Sequence, residues 1–352
     1  MKQTLVLKVD SQSPEPEKIR IAADFIKKGG LVAFPTETVY GLGADALNPT
    51  AVLALFEAKR RPLDNPPIVH VGKIGEVYKL TRYVPQKAEK LMERFWPGPL
   101  TLIFKRSEIV PSVTVAGLDT IAIRMPRHNV ALALLRESGC PIAAPSANLA
   151  GKPSPTSAEH VLEDLNGRID AVLDAGPTNI GVESTVLDLT SDPPQVLRPG
   201  GTPYEELKEV LGKVAIHPVA VADREVPVEK ARSPGVKHKH YAPKAEVIVV
   251  EGEAQAIVKK ARELAEQYAK EGLRVGILAT DETAAHYEGY IVKSLGSRSD
   301  LAIIAKNLFR LLREFDMEKV DIIIAEGVPS QGLGLAVMNR LRKAAGYRIV
   351  KA

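Results

Sequence analysis

Short apolar runs alternating with segments of helical spacing constrain this chain more than any other feature. Leu31-Val32-Ala33-Phe34, Ile68-Val69-His70-Val71 and the runs at 100–105, 120–125 and 171–175 read as strands. Between them Ile19, Ala22, Ala23 and Ile26, and later Val52, Leu55 and Phe56, recur at the spacing that puts side chains on one helix face. Glycine and proline punctuate the joins: Gly29-Gly30 stops the first helix and Trp96-Pro97-Gly98-Pro99 ends another at Phe95. The expectation is an α/β chain.

The strand ends carry the polar residues. Phe34-Pro35-Thr36-Glu37-Thr38-Val39-Tyr40-Gly41-Leu42-Gly43 packs two threonines, a glutamate and a tyrosine against a proline and two glycines. Strand ends followed by tight turns are where α/β proteins place substrates, although an ordinary turn has the same composition. Lys59-Arg60-Arg61-Pro62 either complements a helix dipole in solvent or places cations on a shaped loop for phosphate. His70 reads equally as a bonded core histidine or a site residue, and Arg124 as a structural ion pair or an anion fork. Pro145-Ser146-Ala147-Asn148 is a small-residue turn that lets backbone approach a ligand, and Ser154 and Thr156 extend it. Hydroxyl-bearing turns thus recur at Thr36, Ser146 and Ser184, with isolated cations at Lys59, Arg61, Arg124 and Arg198. This is the composition of a nucleotide cleft, reached without a Walker loop or a GxGxxG turn. Thr202-Pro203-Tyr204-Glu205 reads as a capping box opening a helix to about Leu211.

Length narrows the class further. The 352 residues, 45% hydrophobic, suffice for two domains, and a net charge of +4 argues against a strongly basic nucleic-acid binder while leaving weak RNA binding open. Cys140 is the single cysteine, which excludes an internal disulfide and thiolate zinc. No secretory leader or apolar run of about 20 residues is apparent, so a cytoplasmic protein without a membrane partner is expected.

Seven segments in unbroken order resemble the motif series of the YrdC-like L-threonylcarbamoyladenylate synthases. They are Pro35-Thr36-Glu37-Thr38-Val39-Tyr40-Gly41, Lys59-Arg60-Arg61-Pro62, Trp96-Pro97-Gly98-Pro99-Leu100-Thr101, Arg124-Met125-Pro126, Pro145-Ser146-Ala147-Asn148, Glu183-Ser184-Thr185-Val186 and Arg198-Pro199-Gly200. The remainder, with Ser233-Pro234-Gly235 and His240-Tyr241-Ala242-Pro243, is similar to the family's long form. The resemblance implies a twisted mixed-sheet YrdC-like catalytic domain at 1–211, a linker or lid at 212–244 and a smaller Rossmann-like parallel-sheet domain at 245–352. It implies a nucleotidyltransferase that forms threonylcarbamoyl-AMP and pyrophosphate from L-threonine, bicarbonate and ATP, with Mg²⁺ entering alongside ATP. The product would go to a separate tRNA threonylcarbamoyl transferase complex acting at adenosine 37. By match to the family pattern, Thr36, His70, Arg124, Ala144 and Ser184 would hold threonine. Lys59, Arg61, Asn65, Thr120, Ser146, Asn148, Ser154, Arg198 and Tyr241 would hold ATP. No covalent nucleophile and no protein metal ligand is assigned, and Glu37 and Tyr40 receive no chemical role.

Beyond the linker, apolar runs at 246–250, 273–279, 290–295 and 320–325 alternate with helical segments, including the stripe Leu301, Ile304, Ala305, Leu308, Leu311, Leu312 and Phe315. This predicts a small parallel sheet covered on both faces. The glycine-rich turn at 327–334 either binds phosphate or serves the turn alone. Two other functions compete: a non-catalytic RNA-binding or ribosome-maturation protein, and a carbamoyl transferase, whose usual zinc-finger segment one cysteine cannot supply.

Overall fold

The structure is a computed structural model describing residues 3–226 and 240–352. Two sheets organise it. The larger has eleven strands in the order 5–8, 171–174, 32–34, 41–45, 142–143, 69–70, 120–124, 100–105, 185–188, 195–198 and 215–216, with parallel and antiparallel neighbours mixed. The smaller has five, in the order 291–294, 275–279, 322–326, 246–251 and 349–351, all parallel. The expected α/β class with one mixed and one parallel sheet is what the chain adopts.

Local sequence explains the helices. Pro16–Lys27 begins with proline, whose missing N–H would lack an intrahelical partner there, and buries Ile19, Ala22, Ala23 and Ile26. Each large apolar side chain so buried contributes about 1.5–3 kcal/mol. Pro49–Lys59 is capped by the Asn48 side chain, which accepts from the Thr50 and Ala51 N–H groups, worth about 1 kcal/mol. The stretch from Phe34 to Gly43 is more than a turn. Val32–Phe34 and Gly41–Asp45 form an antiparallel hairpin, and the residues between them make its tip.

The expected capping box does not form. The helix Tyr204–Leu211 has Pro203 at its N-cap and no side-chain cap bond. Thr202 turns instead to Thr185, whose hydroxyl accepts from the Thr202 N–H and donates to its carbonyl. This contact between the 185–188 strand and residue 202 outcompetes the local one. The segment expected as linker begins with ordered elements, a strand at Ala215–Ile216 and a short helix at Pro218–Val221.

In the smaller unit, Ala254–Lys270 covers one face through Ile257, Ala261 and Ala265. Leu301–Glu318 and Leu333–Ala344 cover the other, and that apolar cluster continues into Val39 and Val182 of the larger unit and into Tyr241 of the connecting segment. At Gly181 an added Cβ would lie 2.4 Å from the Lys306 Cα, so the two units meet there with no room for a side chain. The glycine-rich turn serves geometry: a Cβ on Gly334 would lie 1.8 Å from the Pro329 carbonyl oxygen, and the Gly332 N–H donates to Glu205 of the larger unit.

Candidate active site

Sheet register builds the cleft. Val69–His70 and Thr120–Arg124 run parallel with His70 opposite Arg124, and Ile142–Ala143 flanks His70 on the other side. The Ala144 N–H donates to the Ile68 carbonyl, which fixes the start of the Ser146 turn beside them. A register shift between Val196 and Arg198 interrupts the pairing with 185–188, which resumes with Arg198 opposite Val186. Such an irregularity re-aims a side chain, and Arg198 turns onto Ser184, donating from Nε and Nη2 to its carbonyl at 3.1 and 2.9 Å and from Nη2 to its hydroxyl at 3.2 Å.

Eleven of the fourteen predicted site residues line one cleft: Thr36, Lys59, Arg61, His70, Arg124, Ala144, Ser146, Asn148, Ser184, Arg198 and Tyr241. Asn65, Thr120 and Ser154 are buried away from its wall. The Asn65 carbonyl accepts from Arg61 Nε, and the Ser154 hydroxyl donates to Glu183 at 2.6 Å. Thr120 stands at the far end of Arg124's strand, paired with Lys105, about 13 Å away at strand rise.

The cations are held mainly by neutral oxygens. Lys59 is 1% exposed, and its Nζ donates to the carbonyls of Ser146 and Asn148, so the ammonium shapes the Ser146 turn. Burial, with Arg61 nearby, lowers its pKa well below that of an ordinary lysine. Arg61 is also buried, and burial lowers it to about 10, still charged at neutral pH. The solvent-facing helix end anticipated for this trio applies only to Arg60, which is exposed in a left-handed conformation.

Arg124 shows why Glu37 stands in the hairpin tip. Its Nε donates to the Gly98 carbonyl at 3.2 Å and its Nη1 to the Thr38 hydroxyl at 2.9 Å, while Nη2 lies 2.7 Å from the Glu37 carboxylate. The last is a charge contact, because no directed hydrogen bond reaches either Glu37 oxygen. Thr36 completes the tip, bonding the Thr38 hydroxyl at 2.8 Å and donating to the Val39 carbonyl at 2.7 Å. Tyr40 is structural: its hydroxyl donates to the Gly176 carbonyl and accepts from the Ala175 N–H.

His70 is held neutral. Burial first, then the Arg124 cation, lowers its pKa to about 3. Its Nδ1 lies 3.2 Å from the Ile68 carbonyl, which only accepts, so Nδ1 carries the proton and Nε2 a lone pair. The ring is therefore an acceptor at neutral pH and a poor proton store, suited to holding a ligand rather than to acting as a general base.

Glu183, Thr38, Val39 and His240 also line the cleft and escaped the sequence reading as site residues. Burial alone would raise the Glu183 pKa; the Arg340 and Arg198 cations and the Ser154 hydrogen bond overcome it and hold the carboxyl at about 2. Tyr241 is fixed with φ +66°, its ring 5.2 Å from that of Phe309, and the next residue's N–H donates to the Gly151 carbonyl. The expected lid motif Ser233-Pro234-Gly235 and the neighbouring His238 lie outside the described residues. Among the described residues no His, Cys, Asp and Glu cluster suited to a metal is present, and no helix is long and apolar enough to cross a membrane.

Known proteins match both halves. A family model described as "Telomere recombination", the Sua5–YciO–YrdC model, matches residues 24–200, and one described as "Threonylcarbamoyl-AMP synthase, C-terminal domain" matches 202–346. The chain is 53% identical to the threonylcarbamoyl-AMP synthase of Pyrococcus abyssi and 51% identical to that of Bacillus subtilis, with 99% and 97% of each chain covered. Its fold superimposes on the crystal structure of P. abyssi Sua5 complexed with L-threonine with a TM-score of 0.94 at 52% identity, covering 99% of this chain and 100% of the other. The chain belongs to the Sua5–YciO–YrdC family, in the two-domain form that carries the threonylcarbamoyl-AMP synthase C-terminal domain.

Proposed function

We propose that this cleft makes threonylcarbamoyl-AMP from L-threonine, bicarbonate and ATP, releasing pyrophosphate and water. The observation that carries this reading is the pairing of a buried arginine and a neutral histidine on adjacent strands with further buried cations around the same cleft.

Arg124 receives the threonine carboxylate, with Thr36 and Ser184 as hydroxyl partners. The positive field of Arg124 also lowers the pKa of the substrate's ammonium, which favours the neutral amine needed to attack bicarbonate. The His70 Nε2 lone pair accepts a hydrogen bond from threonine without taking its proton. Carbamate forms when the amine nitrogen bonds to the bicarbonate carbon and water leaves. A carbamate oxygen then bonds to the α-phosphorus of ATP as the bond to pyrophosphate breaks. Lys59, Arg61 and Arg198 neutralise the charge that grows on the transferring and leaving groups.

Magnesium enters as part of the substrate. The cleft offers cations, hydroxyls and one carboxylate, Glu183, already bonded by Ser154 and Arg340, so phosphate oxygens rather than protein ligands would hold the ion. Bound there, Mg²⁺ would offset the charge of the β- and γ-phosphates. The unstable adenylate would pass to a separate transferase that modifies adenosine 37 of tRNA.

Supplying ¹³C-bicarbonate and following the nucleotide product by mass spectrometry tests the reaction. Threonylcarbamoyl-AMP one mass unit heavier is expected. AMP or ADP as the main product, with no labelled adduct, would overturn the reading.

A further inference from the structure

Arg340 belongs to the smaller unit, yet it is fully buried and reaches into the wall of the cleft. Its Nε donates to a Glu183 carboxylate oxygen at 2.9 Å, its Nη1 donates to the Pro199 carbonyl at 2.6 Å, and its guanidinium carbon lies 5.5 Å from the centre of the Tyr241 ring. One side chain thus touches the turn that carries Ser184, the strand end that carries Arg198 and the segment that carries Tyr241. These three segments are otherwise separate in sequence.

The segments are stiff where Arg340 meets them. The Gly201 N–H donates to the Glu183 carbonyl at 3.0 Å, and a Cβ on Gly200 would lie 2.3 Å from that oxygen, so residues 199–201 and 183–185 are in direct backbone contact with no space between them. The other Glu183 oxygen accepts the Ser154 hydroxyl, which ties in the loop following Asn148. Displacing Glu183 therefore displaces Ser184, the Arg198 that bonds it, and the 151–156 loop.

A second inter-unit arginine provides the contrast. Arg313 bonds Asp164 at 2.9 Å, Glu163 at 3.1 Å and the Pro153 carbonyl at 2.7 Å, but it touches neither Glu183 nor Tyr241. It joins the units; Arg340 joins them at the cleft wall.

We propose that Arg340 is a positioning residue for the reaction, setting Glu183 and Tyr241 so that Arg198 faces the nucleotide while Ser184 faces threonine, and that the smaller unit is therefore part of the active site. The proposal rests on the cleft's reading as a nucleotide site, and ATP binding tests it independently of turnover.

The groups facing Glu183 are Arg340, Arg198 and Ser154, with Tyr241 and Lys343 beyond them. Arg340→Met removes the strongest opposition to burial, so the Glu183 pKa rises and the protonated, displaced form is reached at a higher pH. ATP titrated calorimetrically into wild type and Arg340→Met, across pH 5 to 8, is the experiment, with melting temperature recorded alongside. We expect Arg340→Met to bind ATP at least about tenfold more weakly, a loss of about 1.4 kcal/mol or more, with an acid limb that the wild type lacks. In Arg340→Met/Glu183→Gln, which leaves no unpaired carboxylate, melting recovers while affinity stays low and the limb disappears. Arg313→Met lowers melting with a smaller loss of affinity. Affinity that falls and recovers in step with melting in all three variants would overturn the proposal, as would wild-type affinity in Arg340→Met. Wild-type protein that binds ATP without forming the adenylate would instead reject the reaction and leave the positioning role standing.

Discussion

Both sheets bury charge where parallel strands end, and they do so in opposite ways. In the smaller unit Glu326, fully buried at the end of its strand, accepts from the Thr280 N–H and hydroxyl, the Thr283 hydroxyl and the Tyr287 hydroxyl. Burial and that bond raise the Tyr287 pKa, which keeps the phenol a donor. Arg298 Nη1 stands 3.9 Å from the same carboxylate, so charge and counter-charge are matched within the network, which braces the 280–287 loop. In the larger unit, Lys59 and Arg61 donate to carbonyl oxygens, partners that bring no counter-charge. Arg124 and Arg198 stand near one carboxylate each, and Glu183 is shared with Arg340. A carboxylate satisfied by hydroxyls is a structural brace; cations that outnumber carboxylates around a cleft await an anion.

The sharpest break in that comparison is Arg124→Met. Removing one partner of a buried, hydrogen-bonded charge pair costs about 2–5 kcal/mol. Steady-state kinetics should show kcat/KM for threonine down about 1,000-fold, the upper part of that range. Urea unfolding should show lost stability, much of it regained in Arg124→Met/Glu37→Gln, where no unpaired carboxylate stays buried.

Much of this was legible in the sequence, because strands and helices follow from apolar period and the cleft's cations and hydroxyls stand at strand ends. The Gln86–Phe95 helix ends where the Trp96-Pro97-Gly98-Pro99 break predicts, and the strand Leu100–Lys105 has the bounds of its apolar run. What stayed hidden depends on contacts distant in the chain. Arg340 reads as one more cation near a helix C-terminus, and its bond to Glu183 spans 157 residues. Glu37 reads as turn composition until Arg124, 87 residues later in the sequence, is folded against it. Thr202 satisfies every local rule for a cap, yet Thr185 claims it. The strand Ile349–Lys351 was missed because only its pairing with 246–251 distinguishes it from a tail.

A smaller effect comes from His70, whose folded pKa of about 3 lies below the unfolded value near 6.5. Between these values the unfolded chain binds the extra proton, so stability is fully present above about pH 6.5 and declines as pH falls toward 3. From pH 7 to 5 the histidine contributes a loss of about 2 kcal/mol. Urea unfolding at both values should show a loss about 2 kcal/mol smaller in His70→Asn than in wild type, the remainder coming from His160 and His128, whose pKa values burial also lowers. An equal loss in both would place the acid sensitivity elsewhere.

The smallest effect on catalysis is expected from Glu326→Gln. It weakens the network and costs about 1–3 kcal/mol of stability. kcat and KM for ATP and threonine should stay within about twofold, well under the tenfold that 1.4 kcal/mol would produce. A large kinetic effect would mean that the brace and the cleft are coupled, and the contrast between them would fail.

Pyrophosphate release from ATP, measured with threonine and bicarbonate omitted in turn, tests the central claim most directly. The account predicts release only when both are present, and a collapse of that release in Arg124→Met. Release that persists without threonine, or that is unaffected by loss of Arg124, would contradict it.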